Sequence, residues 1–158
     1  MKNIFETYQD IYACIHFAAY KSVGESLENP EKYYKNNIGS TEVLLKCLEK
    51  NKFKNLIFSS SCTVYGMPDT LPVNEDAPFK KAESPYGETK QQCEILISKN
   101  LCNSISLRYF NPIGSHDSGL IGDCSSDNAN NLVPIVTEVA CGIRDKLIVN
   151  GNDYNTHD

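Results

Sequence analysis

The sequence predicts an α/β protein with a parallel sheet. Short apolar runs that favour β-strands alternate along the chain with longer segments whose apolar residues recur at helical spacing. This alternation is typical of parallel strands joined by helical crossovers. The 158 residues, of which 41% are hydrophobic and 22% charged, suffice for one domain with a real core.

The first half of the chain supplies two strands and a helix. IYACIHFA at 11–18 is a short apolar run with β-favouring residues and predicts a buried strand. A helix is expected from 30 to about 49, because Pro30 suits a first helical turn and the following apolar residues have helical spacing. NLIFSSS at 55–61 predicts the second strand, which ends in serines.

The second half repeats the alternation after a loop rich in Pro, Asp and Asn at 66–83. Its predicted helices lie at 85–99 and 131–142. Its predicted strands lie at 104–108 and, as the short run KLIV, at 146–149. A long loop rich in Gly, Ser, Asp and Asn, at 111–130, lies between the strand at 104–108 and the helix at 131–142. No internal repeat interrupts the pattern.

Composition argues against several classes of protein. The net charge is -5, the pI is about 5.2, and no block of basic residues suggests nucleic-acid binding. The longest apolar run, at 11–20, is too short to span a membrane, and the first residues lack the apolar core of a signal peptide. We therefore expect a cytoplasmic protein without a membrane partner.

The cysteines and histidines indicate neither disulfides nor a metal site. The seven cysteines are odd in number and form no CxxC pair, and the three histidines stand far apart. Reduced thiols that mostly fill the core are the simpler interpretation.

The segment SPYGETK at 84–90 places Tyr86 and Lys90 four residues apart where a helix begins. Such residues share one helix face, and a nearby ammonium is expected to lower the pKa of the tyrosine from about 10 toward neutrality. The tyrosine could then serve as a general acid and base. The pair alone is weak evidence, because chance pairs on solvated helix faces are frequent.

The serine run of the strand at 55–61 strengthens the hypothesis of a site. In a parallel sheet the carboxyl ends of the strands face the ligand crevice, so Ser61 is expected to offer its hydroxyl there. For Ser59 and Ser60 a plain polar strand end or turn remains a plausible interpretation.

Seven motifs carry a resemblance to a known family: HFAAYKSVGES, YYKNNIGST, NLIFSSSCTVYG, SPYGETK, LRYFNPIGSH, NNLVP and GNDY. In this order and spacing the chain resembles the UDP-glucose 4-epimerases (UDP-galactose 4-epimerases) of the extended short-chain dehydrogenase/reductase family. The resemblance implies a Rossmann-like doubly wound parallel sheet, NAD as cofactor, a UDP-sugar as substrate, and a homodimer through the helices near 30–49 and 85–99.

The resemblance also implies a reaction of galactose metabolism, the interconversion of UDP-glucose and UDP-galactose. Tyr86 takes the proton from the sugar 4-hydroxyl while NAD takes hydride from carbon 4. The 4-keto sugar turns over, and hydride returns to its other face. Lys90 lowers the pKa of Tyr86 and holds the nicotinamide ribose, and Ser61 hydrogen-bonds the reacting region. The cofactor supplies the difficult chemistry.

Further positions match the family's binding residues. Besides Ser61, Tyr86 and Lys90, the cofactor side comprises Phe17, Ala18, Ala19, Lys21, Asn36 and Phe110. Besides Ser61 and Tyr86, the substrate side comprises Lys21, Asn111, Asn131 and Leu132. Ala19 stands where the family often has glycine. Three of these residues could instead be plain core, Phe17, Phe110 and Leu132, and Asn36 could be a polar helix-surface residue.

Several features depart from the family's pattern. The first strands, the GxxGxxG turn and the adenosine-binding acidic residue are missing, so residues 1–158 are expected to form a partial NAD-binding Rossmann domain with the start of the substrate-binding region. We expect the strand at 11–18 to expose an apolar edge, and the chain to bind NAD weakly or not at all and to tend to aggregate. Near the UDP, Ser125–Ala129 and Asn150 replace the residues usual in the family.

Three alternatives follow from the same residues. A nucleotide-sugar 4,6-dehydratase would need an Asp-Glu pair where Cys62 and Thr63 stand, so its carboxylates are absent. A 4-epimerase for UDP-N-acetylhexosamines or UDP-pentoses is compatible with the motifs. A truncated, non-catalytic protein with an NAD-binding fold is favoured by the missing glycine turn and opposed by the intact Ser61, Tyr86 and Lys90.

Overall fold

A computed structural model describes residues 2–8, 10–100, 103–122, 130–149 and 151–153. The chain divides into two units, Met1–Phe110 and Asn111–Asp158. Across the described residues, none of the helices has the length and apolar character that crossing a membrane requires.

Three parallel strands form the sheet of the first unit. They are β1 (Cys14–His16), β2 (Asn55–Ser61) and β3 (Asn103–Tyr109), in the order β1-β2-β3. Ile15, Ile57 and Ile105 lie in register across the three strands. All three carboxyl ends therefore meet at one edge of the sheet, which confirms the predicted parallel α/β class.

Helices fill the connections between the strands. In the first unit they are α1 (Lys2–Thr7), α2 (Val23–Glu28), α3 (Pro30–Tyr33), α4 (Gly39–Lys50) and α5 (Pro85–Ser98). A π-helical turn, Tyr34–Ile38, joins α3 to α4, and a 3₁₀ turn, Cys62–Tyr65, follows β2. The second unit contains α6 (Leu132–Ala140).

The core of the first unit lies between one face of the sheet and its helices. Leu44, Leu45 and Leu48 of α4 and Cys93 and Ile97 of α5 pack with Leu56 and Phe58 of β2, and Phe5 of α1 joins them. On the opposite face Ile15 and Ile105 are exposed. Strand β1 is an outer strand with exposed apolar residues, as the sequence predicts.

Most predicted elements are present, with shifted ends. The strand at 55–61 agrees residue for residue, and α5 ends one residue before its prediction. The strand at 11–18 shrinks to three residues, because only Cys14–His16 pair with β2. The short helices α1 and α2 and the π-helical turn were not predicted.

The predicted strand at 146–149 is wrong. A strand needs a ladder of hydrogen bonds, and these residues form none with any described part of the chain. Ile148 and Val149 are exposed instead. The predictions for Ser125–Ala129 and for Asn150 lie outside the described residues.

Candidate active site

Ser61 is the last residue of β2 and lies at the carboxyl edge of the sheet, as predicted. It is buried, and its Oγ accepts a hydrogen bond of 3.3 Å from the backbone N–H of Thr63. The strand therefore ends in a cap for the 3₁₀ turn, and the cap fixes the direction of the Ser61 hydroxyl.

Helix α5 carries the other two predicted catalytic residues. Ser84 caps the helix by accepting the Gly87 N–H at 3.1 Å, and Pro85 occupies the first helical position. This start places Tyr86 in the first turn, half-buried and close enough to Ser61 for that hydroxyl to lower the pKa of the phenol. The structure therefore brings Ser61 and Tyr86 close together.

Lys90 lies one turn further along α5, on the same face as Tyr86. It is only 4% exposed, and its Nζ donates a 2.7 Å hydrogen bond to the carbonyl oxygen of Ser59. The Nζ lies 4.8 Å from the centre of the Phe58 ring and 5.7 Å from that of Tyr86. The ammonium is thus fixed between β2 and the tyrosine ring, and the predicted face is confirmed.

The expected effect on the pKa of Tyr86 is wrong for this arrangement. Burial raises the pKa of the Tyr86 phenol above its ordinary value, the hydrogen bond from Ser61 opposes this, and Cys62 adds to it. Burial also lowers the pKa of Lys90, which Cys93 and Glu94 oppose. Spacing alone predicted a dominant ammonium, but the removal of both groups from water has the larger effect.

Two phenylalanines flank this polar centre at the ends of the outer strands. Phe17 directly follows β1 and Phe110 directly follows β3, and their side chains are 64% and 60% exposed. The ring of Phe110 lies 6.4 Å from that of Tyr65 in the 3₁₀ turn. The alternative that both residues belong to the core is therefore wrong.

The loop after β1 holds the remaining cofactor-side residues. Ala18 and Lys21 are exposed and Ala19 is half-buried. Asn36 lies in the π-helical turn, half-buried, and donates a 3.0 Å hydrogen bond to the side chain of Asn37. Asn36 is thus only partly exposed, whereas the alternative interpretation made it a polar residue on the helix surface.

Asn37 is a structural residue of the site that the sequence did not reveal. It is 2% exposed, and its amide bonds both the N–H and the carbonyl of Tyr20, at 2.9 and 3.0 Å. Its Nδ2 also donates to Thr89 at 3.3 Å, and Thr89 donates to the Tyr86 carbonyl at 2.7 Å. This chain of hydrogen bonds ties the loop after β1 to the start of α5.

The three predicted substrate-side residues beyond position 110 belong to the second unit. Asn111 is exposed. Asn131 precedes α6, and its carbonyl accepts the Ile135 N–H at 3.2 Å. Leu132 is the first residue of α6 and is 66% exposed, so it is not a core residue.

Comparison with known proteins places the chain in a family. Residues 1–140 match the model of the NAD dependent epimerase/dehydratase family. The chain belongs to this family. The match confirms the resemblance that the seven motifs indicated, and with it the NAD-dependent class.

Relatives within the family are similar along the whole chain. The UDP-glucose 4-epimerase of Dictyostelium discoideum is 51% identical over all of this chain and 47% of the relative. That of Bacillus subtilis (strain 168) is 47% identical over 94% of this chain and 45% of the relative. The chain spans about half the length of the curated relatives it matches.

Solved structures of the family share the fold. The UDP-glucose 4-epimerase from Bifidobacterium longum, in complex with NAD+ and UDP, is 42% identical with a TM-score of 0.92, over 99% of this chain and 48% of that one. The Stenotrophomonas maltophila enzyme, with bound NAD and formylated UDP-arabinopyranose, is 40% identical with the same TM-score and coverage. The predicted Rossmann-like fold, incomplete relative to these proteins, is confirmed.

Thr63 is a further polar group of the family's site region that sequence reasoning did not assign. Its Oγ1 is buried and has no hydrogen-bond partner among the described residues. Gly87 faces it: a Cβ on Gly87 would lie 3.3 Å from both the Cβ and the carbonyl oxygen of Thr63. The glycine directly after Tyr86 was the signal in the sequence, because it lets α5 approach the 3₁₀ turn closely.

Proposed function

We propose that this chain is the central part of an NAD-dependent 4-epimerase that interconverts UDP-glucose and UDP-galactose in galactose metabolism. The observation that carries the proposal is that Tyr86 and Lys90 lie on the face of α5 next to Ser61 at the carboxyl end of β2. The similarity to proteins named UDP-glucose 4-epimerase supports the choice of reaction.

The carboxyl edge of the sheet suits a nicotinamide cofactor in its chemistry. Phe17 and Phe110 offer exposed rings on either side of a polar centre, where a flat aromatic group can pack. Lys90 and Ser61 supply donors suited to ribose hydroxyls, and the small Ala18 and Ala19 allow close approach. Asn36 and Lys21 would complete the cofactor side. When bound, NAD supplies a reversible hydride acceptor for carbon 4 of the sugar.

The protein's own residues handle the proton. The Tyr86 oxygen would exchange a proton with the sugar 4-hydroxyl, and the nearby Ser61 hydroxyl would hydrogen-bond the reacting oxygens. The raised pKa of Tyr86 suits the step in which the phenol returns the proton. When Tyr86 instead takes the proton, it does so as the phenolate. The positive charge of Lys90 then offsets the free-energy cost of burying that anion.

The two units would have different tasks. The first would be a partial NAD-binding domain, and the second would begin the substrate-binding region, with Asn111, Asn131 and Leu132 against the UDP-sugar. A homodimer through α3–α4 and α5, and a cytoplasmic setting that keeps the described free thiols reduced, complete the proposal.

The test is an assay of UDP-galactose conversion by the longest reading frame that contains this chain. We expect Tyr86→Phe to lower the turnover number on the order of 10²–10⁴-fold, because general acid–base catalysis contributes about that much. The matched control is Tyr12→Phe, which alters a tyrosine that is 84% exposed. Parent-level turnover by Tyr86→Phe would overturn the proposal.

A further inference from the structure

A buried carboxylate lies one helical turn beyond Lys90. Glu94 is 8% exposed and shares the inner face of α5 with Lys90, since residues four apart lie on one side of a helix. Its Oε2 accepts a 2.8 Å hydrogen bond from Nη2 of Arg108 in β3, and its Oε1 accepts one of 3.1 Å from Nε. The Ser60 hydroxyl also donates to Oε1.

Arg108 has further partners besides Glu94. Its Nη1 donates to the Tyr65 hydroxyl at 3.0 Å and to the Glu75 carbonyl at 2.9 Å. Its guanidinium carbon lies 4.9 Å from the centre of the Tyr65 ring and 5.2 Å from that of Phe79. The carboxylate of Glu94 therefore has a rigid, pre-placed partner.

Two successive residues of β2 fix two successive turns of α5. The Ser59 carbonyl accepts from Lys90, and the Ser60 hydroxyl donates to Glu94. The next residue along β2 is Ser61, which lies near Tyr86. The two bonds therefore tie α5 to β2 directly beside the predicted catalytic residues.

Buried ion pairs are weak evidence of a stabilising role, because apolar residues of the same volume often stabilise a fold equally well. A different role for the Glu94 carboxylate is suggested by the neighbouring Lys90 ammonium. The titratable groups around the Lys90 ammonium are His16 from β1 and Tyr86, Cys93 and Glu94 from α5. Of these, Glu94 is the carboxyl group, and it lies one turn from Lys90 on the same buried face of α5.

We propose that Glu94 is a positioning residue for the Tyr86–Lys90 pair: with Ser60 and Arg108 it fixes α5 on β2, and from one turn away on the same helix face its carboxylate stabilises the Lys90 ammonium. A role of Glu94 in catalysis rests on the proposed function. The electrostatic coupling between Glu94 and Lys90 is independent of that function. Burial lowers the pKa of Lys90, and Cys93 and then Glu94 oppose that shift.

The experiment titrates Lys90 directly. Protein labelled with ¹³C at the lysine Cε positions is followed by NMR against pH, and the Lys90 signal is assigned by its loss in Lys90→Met. In Glu94→Gln, which keeps the shape but removes the charge, we expect the Lys90 midpoint to move to lower pH. Glu88→Gln removes the same charge from the exposed side of α5 and is expected to leave the midpoint in place.

A second variant keeps the test open if Glu94→Gln does not fold. Arg108→Gln removes the cation that compensates Glu94, so the Lys90 midpoint should move to higher pH. An unmoved Lys90 midpoint in a folded Glu94→Gln or Arg108→Gln protein would overturn the proposal. Because the titration needs no turnover, a failed epimerase assay beside a shifted Lys90 midpoint would refute the proposed function alone.

Discussion

The two faces of the sheet differ in what covers them. On one face Leu56 and Phe58 are 1% and 2% exposed, beneath α4 and α5. On the other, Ile15 and Ile105 are 55% and 60% exposed, although they are as apolar as their counterparts. Parallel sheets are generally buried on both faces.

The two faces are therefore expected to govern different properties of this chain, one its stability and the other its association. The covered face holds the core and also positions the site, because α5 carries Tyr86 and Lys90 on the side that packs against β2. The bare face contributes little packing and exposes neighbouring isoleucines in register. We expect substitutions on the first face to unfold the protein and those on the second to change its association.

Phe58→Ala is the substitution with the largest expected effect. The ring is almost fully buried, between the helices and the ammonium of Lys90. Its removal should cost about 3–5 kcal/mol of the free energy of unfolding, since a buried phenylalanine replaced by alanine leaves a cavity. Denaturant unfolding measures the loss.

Ile105→Ala is the matched substitution on the bare face. Its side chain is mostly in water, so the cost should stay below about 1 kcal/mol, chiefly from lost β-propensity. If the two variants lost equal stability, the bare face would be packed in solution and the comparison would fail.

The elements of the covered face were the easiest to predict from the sequence. Residues 55–61 form an apolar run bounded by polar residues, and Ser84–Pro85 is a helix start whose capping bond the structure contains. Both signals are local, so no knowledge of the rest of the fold was needed. The same local signals placed Ser61 at the end of β2 and Tyr86 and Lys90 one turn apart on α5.

What the sequence did not predict depends on distant partners. The run at 146–149 is as apolar as a strand but pairs with no described residue. In the sequence, Asn37 and Glu94 look like ordinary polar helix residues. Only the structure shows that they are buried and hydrogen-bonded to distant residues, Tyr20 and Arg108. The predicted lowering of the Tyr86 pKa was wrong for the same reason. Spacing reveals the neighbouring charge, but burial depends on the whole fold.

His16 tests the covered face through pH. It is buried on β1 with its Nε2 3.2 Å from the Thr41 hydroxyl. Burial, and secondly the charge of Lys90, lower the pKa of His16 below its ordinary 6.5. The unfolded chain therefore binds a proton that the folded chain rejects, and the free energy of unfolding should fall as pH drops through about 6.5.

His16→Gln should flatten this dependence, because its amide can keep a hydrogen bond to Thr41 but does not titrate. The control is His116→Gln, at an exposed position of the second unit. Denaturant unfolding between pH 7.5 and 5 compares the slopes, and a parent-like slope in His16→Gln would assign the pH dependence to other groups.

The smallest effect on stability is expected from polar substitution of the bare face. Ile15→Thr with Ile105→Thr keeps β-branched residues in both strands, so the free energy of unfolding should change by less than about 1 kcal/mol. Binding of the dye ANS and the associated fraction in analytical ultracentrifugation should both fall, because the exposed apolar surface is reduced. Val43→Thr, which alters an exposed valine on α4, should change neither. If the double variant bound as much ANS as the parent, the dye would report another surface. The bare face would then not be the cause of association.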